Sequence, residues 1–154
     1  MKDNKKAEVR KSGNKGKGIF AKKLIKKGER IASFDGQIYE YEHRWNDYLR
    51  NHTIQFEKRR WRDSKGIAVF INHSCEPNCG VKNLFDIVAM RDIKKDEEIT
   101  WDYEMTEANP IWKMKCRCKT PSCRGIIGNY KNMPLATRKK YKGFISQWLI
   151  DAGK

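Results

Sequence analysis

Three short stretches bring together side chains able to bind a metal, move a proton or attack an electrophile. FINHSCEPNC, residues 70–79, sets Asn72, His73, Ser74, Cys75 and Cys79 behind a short apolar run. CRCKTPSCRG, residues 116–125, places Cys116, Cys118 and Cys123 in a C-x-C-x4-C array. KKDEEITWDYE, residues 94–104, sets Tyr103 between Asp102 and Glu104, two residues after Trp101. Thiolates one residue apart bridge each other poorly, but from a turn they converge readily on a tetrahedral ion such as zinc. Three thiols are one short of a closed site, and as a cysteine the fourth can come only from Cys75 or Cys79. Reduced thiols in a loop are the plainer alternative, but a segment so poor in apolar residues needs a staple to be ordered. The competing chemistry is a cysteine nucleophile built on His73 and Cys75. Two such neighbours on a strand share a face, yet no third group that would orient the imidazole is evident, and a metal would consume the thiolate.

The elements that must hold these residues read as short strands. GKGIFAKKLIKKGERIASFDGQIYEY, residues 16–41, breaks its apolar runs with Gly at 16, 18, 28 and 36, the pattern of strands joined by tight turns. IQF, GIAVFINH, FDIVAM and EEITWDY continue it, with Ile, Val, Phe and Trp supplying strand propensity. Between them Trp45, Tyr48, Leu49 and His52 recur at helical spacing and predict a short amphipathic helix. At the end, Tyr141, Phe144, Ile145, Trp148 and Leu149 share one helical face after Pro134, although Gly143 interrupts it. The predicted class is mainly β with short helices. Four segments follow: a flexible basic N-terminus (1–12), a main domain (13–110), a cysteine module (111–130) and a terminal helix docked on the domain (131–154). GNKGKG, residues 13–18, lacks the spacing of a phosphate-binding loop and reads as a turn that lets a ligand approach backbone.

Length and charge narrow the function classes. A chain of 154 residues suits one domain with a real core. Lys and Arg number 34 against 19 Asp and Glu, a formal charge of +15. Such a field favours polyanions, so a non-specific nucleic-acid contact is among the expected partners. The first residues lack the apolar centre of a signal peptide, and no apolar run approaches the roughly 18 residues of a membrane span. No membrane association is expected, and an intracellular location is: cytoplasmic, or nuclear and chromatin-associated in a eukaryotic setting. Nothing in the sequence speaks to oligomeric state.

Taken in order, GKGIFA, KKGERIASFDG, FINHSCEPNC, DEEITWDYE and CRCKTPSCRG resemble the motifs of the SET-domain protein lysine methyltransferases, the last being similar to their post-SET cysteine module. The resemblance implies a fold of small curved β-sheets with a knot-like threaded segment that carries Asn72–Cys75 against the Trp101–Tyr103 strand. It implies that Cys75 joins Cys116, Cys118 and Cys123 on one structural zinc, leaving Cys79 free. It implies that Asn72 and His73 contact S-adenosylmethionine, that the backbone of Lys15, Gly16 and Lys17 lines the opposite side, and that Ile126 and Ile127 cover it.

The activity so implied is methyl transfer to a lysine amine of a protein, a histone or another basic protein, with Tyr103 as catalytic tyrosine. Only the neutral amine can attack, and free lysine has a pKa of about 10.4, so a narrow aromatic channel must disfavour ammonium by desolvation. Trp101 stands at the family's position that tunes how many methyls are added; it lacks a tyrosine hydroxyl but is bulky, two effects of opposite sign. Phe34 stands where many members have Tyr, Gln37 where Glu is common, and Val69 where Arg is usual. A basic tail gains nothing from long-range attraction to a chain of charge +15, so a substrate associated with nucleic acid fits the charge better. The alternative function is a non-catalytic zinc-containing chromatin or nucleic-acid-binding module on the same fold.

Overall fold

Apolar runs this short, each cut by Gly or charge, fold into strands of two to five residues. The computed structural model describes residues 3–152. In chain order the elements are β1 (Ala7–Lys11), β2 (Lys17–Ala21), β3 (Arg30–Ser33), β4 (Ile38–Glu40), α1 (Asp47–His52), β5 (Ile54–Glu57), β6 (Arg60–Arg62), β7 (Asn72–His73), β8 (Cys79–Lys82), β9 (Asp86–Ala89), β10 (Glu98–Trp101), β11 (Met114–Lys115), β12 (Ile126–Ile127), α2 (Leu135–Lys140) and α3 (Gln147–Ala152). One sheet runs β1-β2-β10-β8-β9-β3, with β7 as a further partner of β10; β4-β6-β5 and the ribbon β11-β12 are separate. The mainly β class with short helices is as the sequence predicts.

Strand β10 organises the site because both ends of the 72–79 segment land on it. It pairs parallel to β7, with Thr100 opposite Asn72 and Trp101 opposite His73, and parallel to β8, with Trp101 opposite Cys79. It also runs antiparallel to β2, with Ile99 opposite Ile19. The turn between β7 and β8 is stitched down by Asn78, whose amide donates to the Glu98 carbonyl at 2.8 Å and accepts from the Thr100 N–H at 2.9 Å. One side chain thus does the work of a strand residue where the chain must turn. Beneath, Ile19, Ile31, Ile87 and Ile99 are wholly buried, each burial worth roughly 1.5–3 kcal/mol. A second, smaller cluster joins Cys75, Cys116 and Ile127, with Tyr103, Trp112 and Met114 packed against it.

Three expectations about the elements are corrected. The N-terminus is not loose where it is described: Ala7–Lys11 pairs residue for residue with β2, from Ala7 opposite Ala21 to Lys11 opposite Lys17. Its charges, which suggest a solvated tail, are matched instead, Lys6 to Glu29 at 2.7 Å and Arg10 to Asp96 at 2.7 Å. The terminal helix is two helices. Gly143 takes a φ of 84°, a left-handed value that only Gly adopts cheaply, and the Phe144 carbonyl accepts the Val81 N–H at 2.7 Å instead of continuing the helix. Helix α1 starts at Asp47, with the Asn46 side chain accepting from the Leu49 N–H at 2.9 Å, so Trp45 lies outside it. Those parts of the terminal expectations that concern residues 1, 2, 153 and 154 lie outside the described residues.

The C-terminal segment docks where β8 has no side chain. A Cβ on Gly80 would fall 2.5 Å from Phe144 Cβ and 3.0 Å from the Phe144 carbonyl oxygen. Gly80→Ala is therefore expected to lower the unfolding free energy by about 1–3 kcal/mol, read as a lower urea midpoint. Faster amide exchange at Val81, whose N–H donates to Phe144, should accompany it.

Candidate active site

The sequence WDYE sets a strand end, a cap and an aromatic in succession. Strand β10 stops at Trp101, and the Asp102 carboxylate accepts the Glu104 N–H at 3.1 Å to cap a 3-10 turn, Tyr103–Met105. That turn swings the Tyr103 ring between Trp101, at 5.2 Å between ring centroids, and His73, at 5.3 Å; Phe34 stands 6.2 Å from Trp101. The Tyr103 hydroxyl donates to the Ile71 carbonyl at 3.0 Å. Burial pushes its pKa up, so it stays a phenol. Phe34, Trp101 and Tyr103 line a cleft of about 420 Å³ together with Lys15, Lys17 and Asn72. A second cavity of about 280 Å³ is lined by His73 and shares Lys15, Asn72 and Tyr103 with the first. Gly16 contributes backbone beside Lys15 and Lys17 but does not itself line either space. Trp101 is 4 % exposed and its Nε1–H has no hydrogen-bond partner.

On the Lys15 side the polar groups form one network. Glu98 receives Lys15 Nζ at 2.8 Å, Ser12 Oγ at 2.6 Å and Asn72 Nδ2 at 2.8 Å. Burial alone would raise the Glu98 pKa; those three donors outweigh it and hold the carboxyl below its ordinary value. Asn72 Nδ2 also donates to the Lys17 carbonyl at 3.0 Å, so both amide protons are spent and Oδ1 is the atom left to offer a ligand. Gly18 makes room for this, since a Cβ there would fall 2.7 Å from Glu98 Oε1 and 2.9 Å from Asn72 Nδ2.

His73 faces the protein with both ring nitrogens. Its pKa is held down at about 3 by burial first, then by the positive charges of Arg124 and Lys15, so the ring is neutral. Nδ1 accepts the Tyr103 N–H at 3.3 Å. The ring proton is thereby assigned to Nε2, which donates to Cys75 Sγ at 3.4 Å. What His73 can offer a ligand is its backbone and ring edge.

Cys75, Cys116, Cys118 and Cys123 have their sulfurs within 4.8 Å of one another, and none is in a disulfide. The Cys75–Cys116 separation is 3.7 Å, close to the roughly 3.8 Å that four Zn–S bonds of about 2.3 Å require in a tetrahedron. The donor set fits a zinc ion. Backbone N–H groups of Arg124 and Cys118 point at Cys75 and Cys116 sulfurs, at 3.4 and 3.5 Å, the kind of support a thiolate site uses. Cys79 is buried in β8 and is not one of the four.

The nucleophile alternative meets a correction. A third group does exist, because Asp102 Oδ1 lies 3.6 Å from His73 Nδ1. Its oxygens are committed to Arg124, Nη1 to Oδ2 and Nη2 to Oδ1, both at 2.8 Å. Nδ1 meanwhile accepts from Tyr103 and has no proton for the carboxylate. Burial pushes the Cys75 thiol up to about 11, the opposite of what an attacking thiolate needs.

Arg124 is the residue that sequence reasoning missed. Its Nη2 also lies 3.2 Å from Glu104 Oε2, and Glu104 Oε1 accepts the Gly128 N–H at 2.7 Å. The two carboxylates flanking Tyr103 therefore bolt the cysteine module to the end of β10. The available signal was Asp102 and Glu104 in an apolar setting, since buried carboxylates need a cation. Ile126 is 65 % exposed and Ile127 packs under the thiols; Trp112 and Met114 reach the larger cleft instead.

Residues 16–104 match a model of the SET domain family. The chain is 34 % identical over 138 residues to the histone-lysine N-methyltransferase ash1 of Drosophila melanogaster, an alignment covering 76 % of this chain and 6 % of that protein. It is 31 % identical over 156 residues to the H3 lysine-36 specific histone-lysine N-methyltransferase of Homo sapiens, covering 89 % and 6 %. The chain thus spans about 6 % of the length of these relatives. Among solved structures, KRYPTONITE in complex with mCHH DNA, H3(1–15) peptide and SAH superposes with a TM-score of 0.61 at 23 % identity, over 82 % of this chain and 30 % of that one. A complex of KRYPTONITE with mCHG DNA and SAH gives 0.64 at 23 % identity, over 82 % and 29 %. On the family match, which takes in more than half of its length, and on a fold shared with those structures, this chain belongs to the SET-domain family.

Proposed function

We propose that this site transfers a methyl group from S-adenosylmethionine to the side-chain amine of a lysine in a protein, a histone or another basic protein. The observation that carries the reading is that Tyr103, with Lys15 and Asn72, lies in the wall common to two cavities, one bordered further by His73, the other by Phe34 and Trp101. A methyl donor on one side and an acceptor on the other meet at its ring. The names of the relatives and the SAH and H3 peptide in a solved structure of the same fold support the choice of donor and acceptor.

S-adenosylmethionine supplies an electrophilic methyl on a sulfonium. Asn72 through Oδ1, His73 through its backbone, and the backbone of Lys15, Gly16 and Lys17 would hold it. On the acceptor side, Phe34, Trp101 and Tyr103 desolvate the entering amine and so lower its pKa towards the neutral form that attacks. The Tyr103 hydroxyl gives its proton to Ile71 and keeps an acceptor site for an N–H of the amine. Remaining a phenol, it orients the amine without trapping it as ammonium. Proximity and alignment supply much of the remaining barrier reduction. Trp101 presents a donor where a tyrosine would present an acceptor as well, and its buried N–H is free to take up one polar partner from a substrate or a water. Cys75, Cys116, Cys118 and Cys123 hold one structural zinc. Residues 13–110 then carry the reaction, 111–130 the staple that closes it, and 131–154 the brace behind. A histone substrate puts the reaction at chromatin, in the nucleus.

Incubation with labelled S-adenosylmethionine and a panel of histones, nucleosomes and lysate is expected to label a protein lysine. Tyr103→Phe should reduce the rate by about 10²–10³, the usual loss of one transition-state contact; label transfer equal to that of the variant would defeat the reading. Metal analysis is expected to find about one zinc per chain, lost in Cys75→Ser and kept in Cys79→Ser. Arg124→Met, which leaves Asp102 buried without its cation, should cost about 3–5 kcal/mol of stability. Adding Asp102→Leu should recover part of it, a coupling measured by a double-mutant cycle in urea.

A further inference from the structure

Charge is divided unevenly along the chain. Residues 108–150 contain ten of the 34 Lys and Arg and none of the 19 Asp and Glu. Arg124 is spent on Asp102 and Glu104, and Arg138 on the carbonyls of Tyr130, Lys131 and Met133. The other eight are exposed, and among the described residues none of them has an ion pair. Lys113, Lys115, Arg117 and Lys119 alternate with the more buried Met114, Cys116 and Cys118, so the residues that build the site turn inward and four cations turn out. Lys131, Lys139, Lys140 and Lys142 stand on the C-terminal segment beyond the thiols.

The two groups are parts of one band. Arg138 of α2 donates to the Tyr130 and Lys131 carbonyls, both at 2.9 Å, which holds α2 at one edge of the cysteine module, and the Glu76 carboxylate meets the module at Ser122, accepting from its N–H and hydroxyl at 3.0 and 2.6 Å. At the other edge Arg117 donates to the Asn14 carbonyl at 3.4 Å and, with Lys119, faces Lys11 across a groove of about 440 Å³. The carboxylates met along the way are Glu76 and Glu98, the first held by Ser122 and the second by Lys15.

We infer that this band binds the phosphate backbone of duplex DNA. Exposed cations that outnumber the carboxylates near them gain affinity by releasing the counterions of a phosphate array. Seven of the eight are Lys, point charges suited to phosphate and not to reading bases. Single strands are bound on exposed aromatic platforms; here Trp112, Tyr130, Tyr141, Phe144 and Trp148 are half-buried or buried, which leaves backbone contact to a duplex. In choosing DNA over an RNA duplex the inference rests on the histone reading above, because a histone substrate arrives wrapped in DNA. The band also borders the site, since Lys115 and Arg117 line the smaller cavity with Tyr103. DNA held there supplies the attraction that a basic tail and a chain of charge +15 cannot supply to each other.

The test is fluorescence anisotropy with a 20-base-pair duplex and the zinc-loaded full chain over a salt series, with neither cofactor nor substrate lysine present. Binding should weaken linearly in log salt. Lys139→Glu/Lys140→Glu/Lys142→Glu, and separately Lys113→Glu/Lys115→Glu/Lys119→Glu, should each lower affinity about tenfold or more at about 0.1 M salt and flatten the slope by about two to three. Lys22→Glu/Lys23→Glu/Lys27→Glu makes the same change in net charge at exposed positions elsewhere and should cost less than about threefold. The α2 triple keeps the result decisive even where the module triple loses zinc. Absence of duplex binding, equal losses from all three triples, or tighter binding to a single strand, an RNA duplex, polyglutamate or anionic vesicles would each overturn the inference. Loss of DNA binding would leave methyl transfer standing, and loss of methyl transfer would leave the binding result standing.

Discussion

The bidentate pair between Asp102 and Arg124 is the contact on which the rest of the site depends. Asp102 has no exposure and Arg124 is mostly covered, so both charges are taken out of water, and only good geometry repays that desolvation. Two N–H···O bonds of 2.8 Å supply it. The same Asp102 caps the turn that aims Tyr103, and the same Arg124 follows Cys123 in the thiol cluster. One contact therefore fixes the angle of the aromatic and the seat of the module. An apolar pair of equal volume could match the stability, but it would not hold a carboxylate where the Glu104 N–H needs a cap.

His73 adds a second, independent tie. Its neutral ring takes the Tyr103 N–H on one nitrogen and gives its proton to Cys75 on the other. Because burial and two nearby cations keep it unprotonated, the tautomer that makes both bonds persists across the whole range in which an ordinary histidine would switch. The smaller cavity, the tyrosine and the thiols are thus coupled through one rigid imidazole and one buried ion pair. The sulfurs and the cleft cannot shift independently.

What could be read from the sequence was what is local. Thiols in C-x-C-x4-C converge because a turn is enough to bring them together, and Tyr103 sits where its strand ends because Asp102 caps the next turn. What could not be read depends on partners distant in the chain. Arg124 carries no local mark that distinguishes it from the exposed Arg117, and only the fold brings it to Asp102. Ala7–Lys11 reads as a charged tail until Glu29 and Asp96 are seen opposite its cations. The terminal helix breaks at Gly143, a poor helix former, but the decisive cause is Val81 claiming the Phe144 carbonyl from another strand. Fold class survives such omissions because it follows from the density of short apolar runs, whereas boundaries are settled by single long-range hydrogen bonds.

Distances alone would misassign the chemistry. Cys75, His73 and Asp102 stand in the order of a nucleophilic triad, at 3.4 and 3.6 Å. The protons run the wrong way for one. A triad needs the carboxylate to hold the ring proton on Nδ1 and the other nitrogen to accept from the nucleophile. Here Nδ1 accepts from the backbone, Nε2 donates to sulfur, and the carboxylate is neutralised by a guanidinium. A thiol pushed up to about 11 by burial is roughly one part in 10⁴ thiolate at neutral pH, so it waits for a positive charge to ionise it. Three further sulfurs within 4.8 Å form a donor set that fits a metal ion, whereas the neutral imidazole supplies no charge. On the proposed reading the residues of FINHSC stand between the four-thiol cluster and the transfer site, and the reactive geometry belongs to Tyr103, thirty residues on from His73 in the sequence and one hydrogen bond away in the fold.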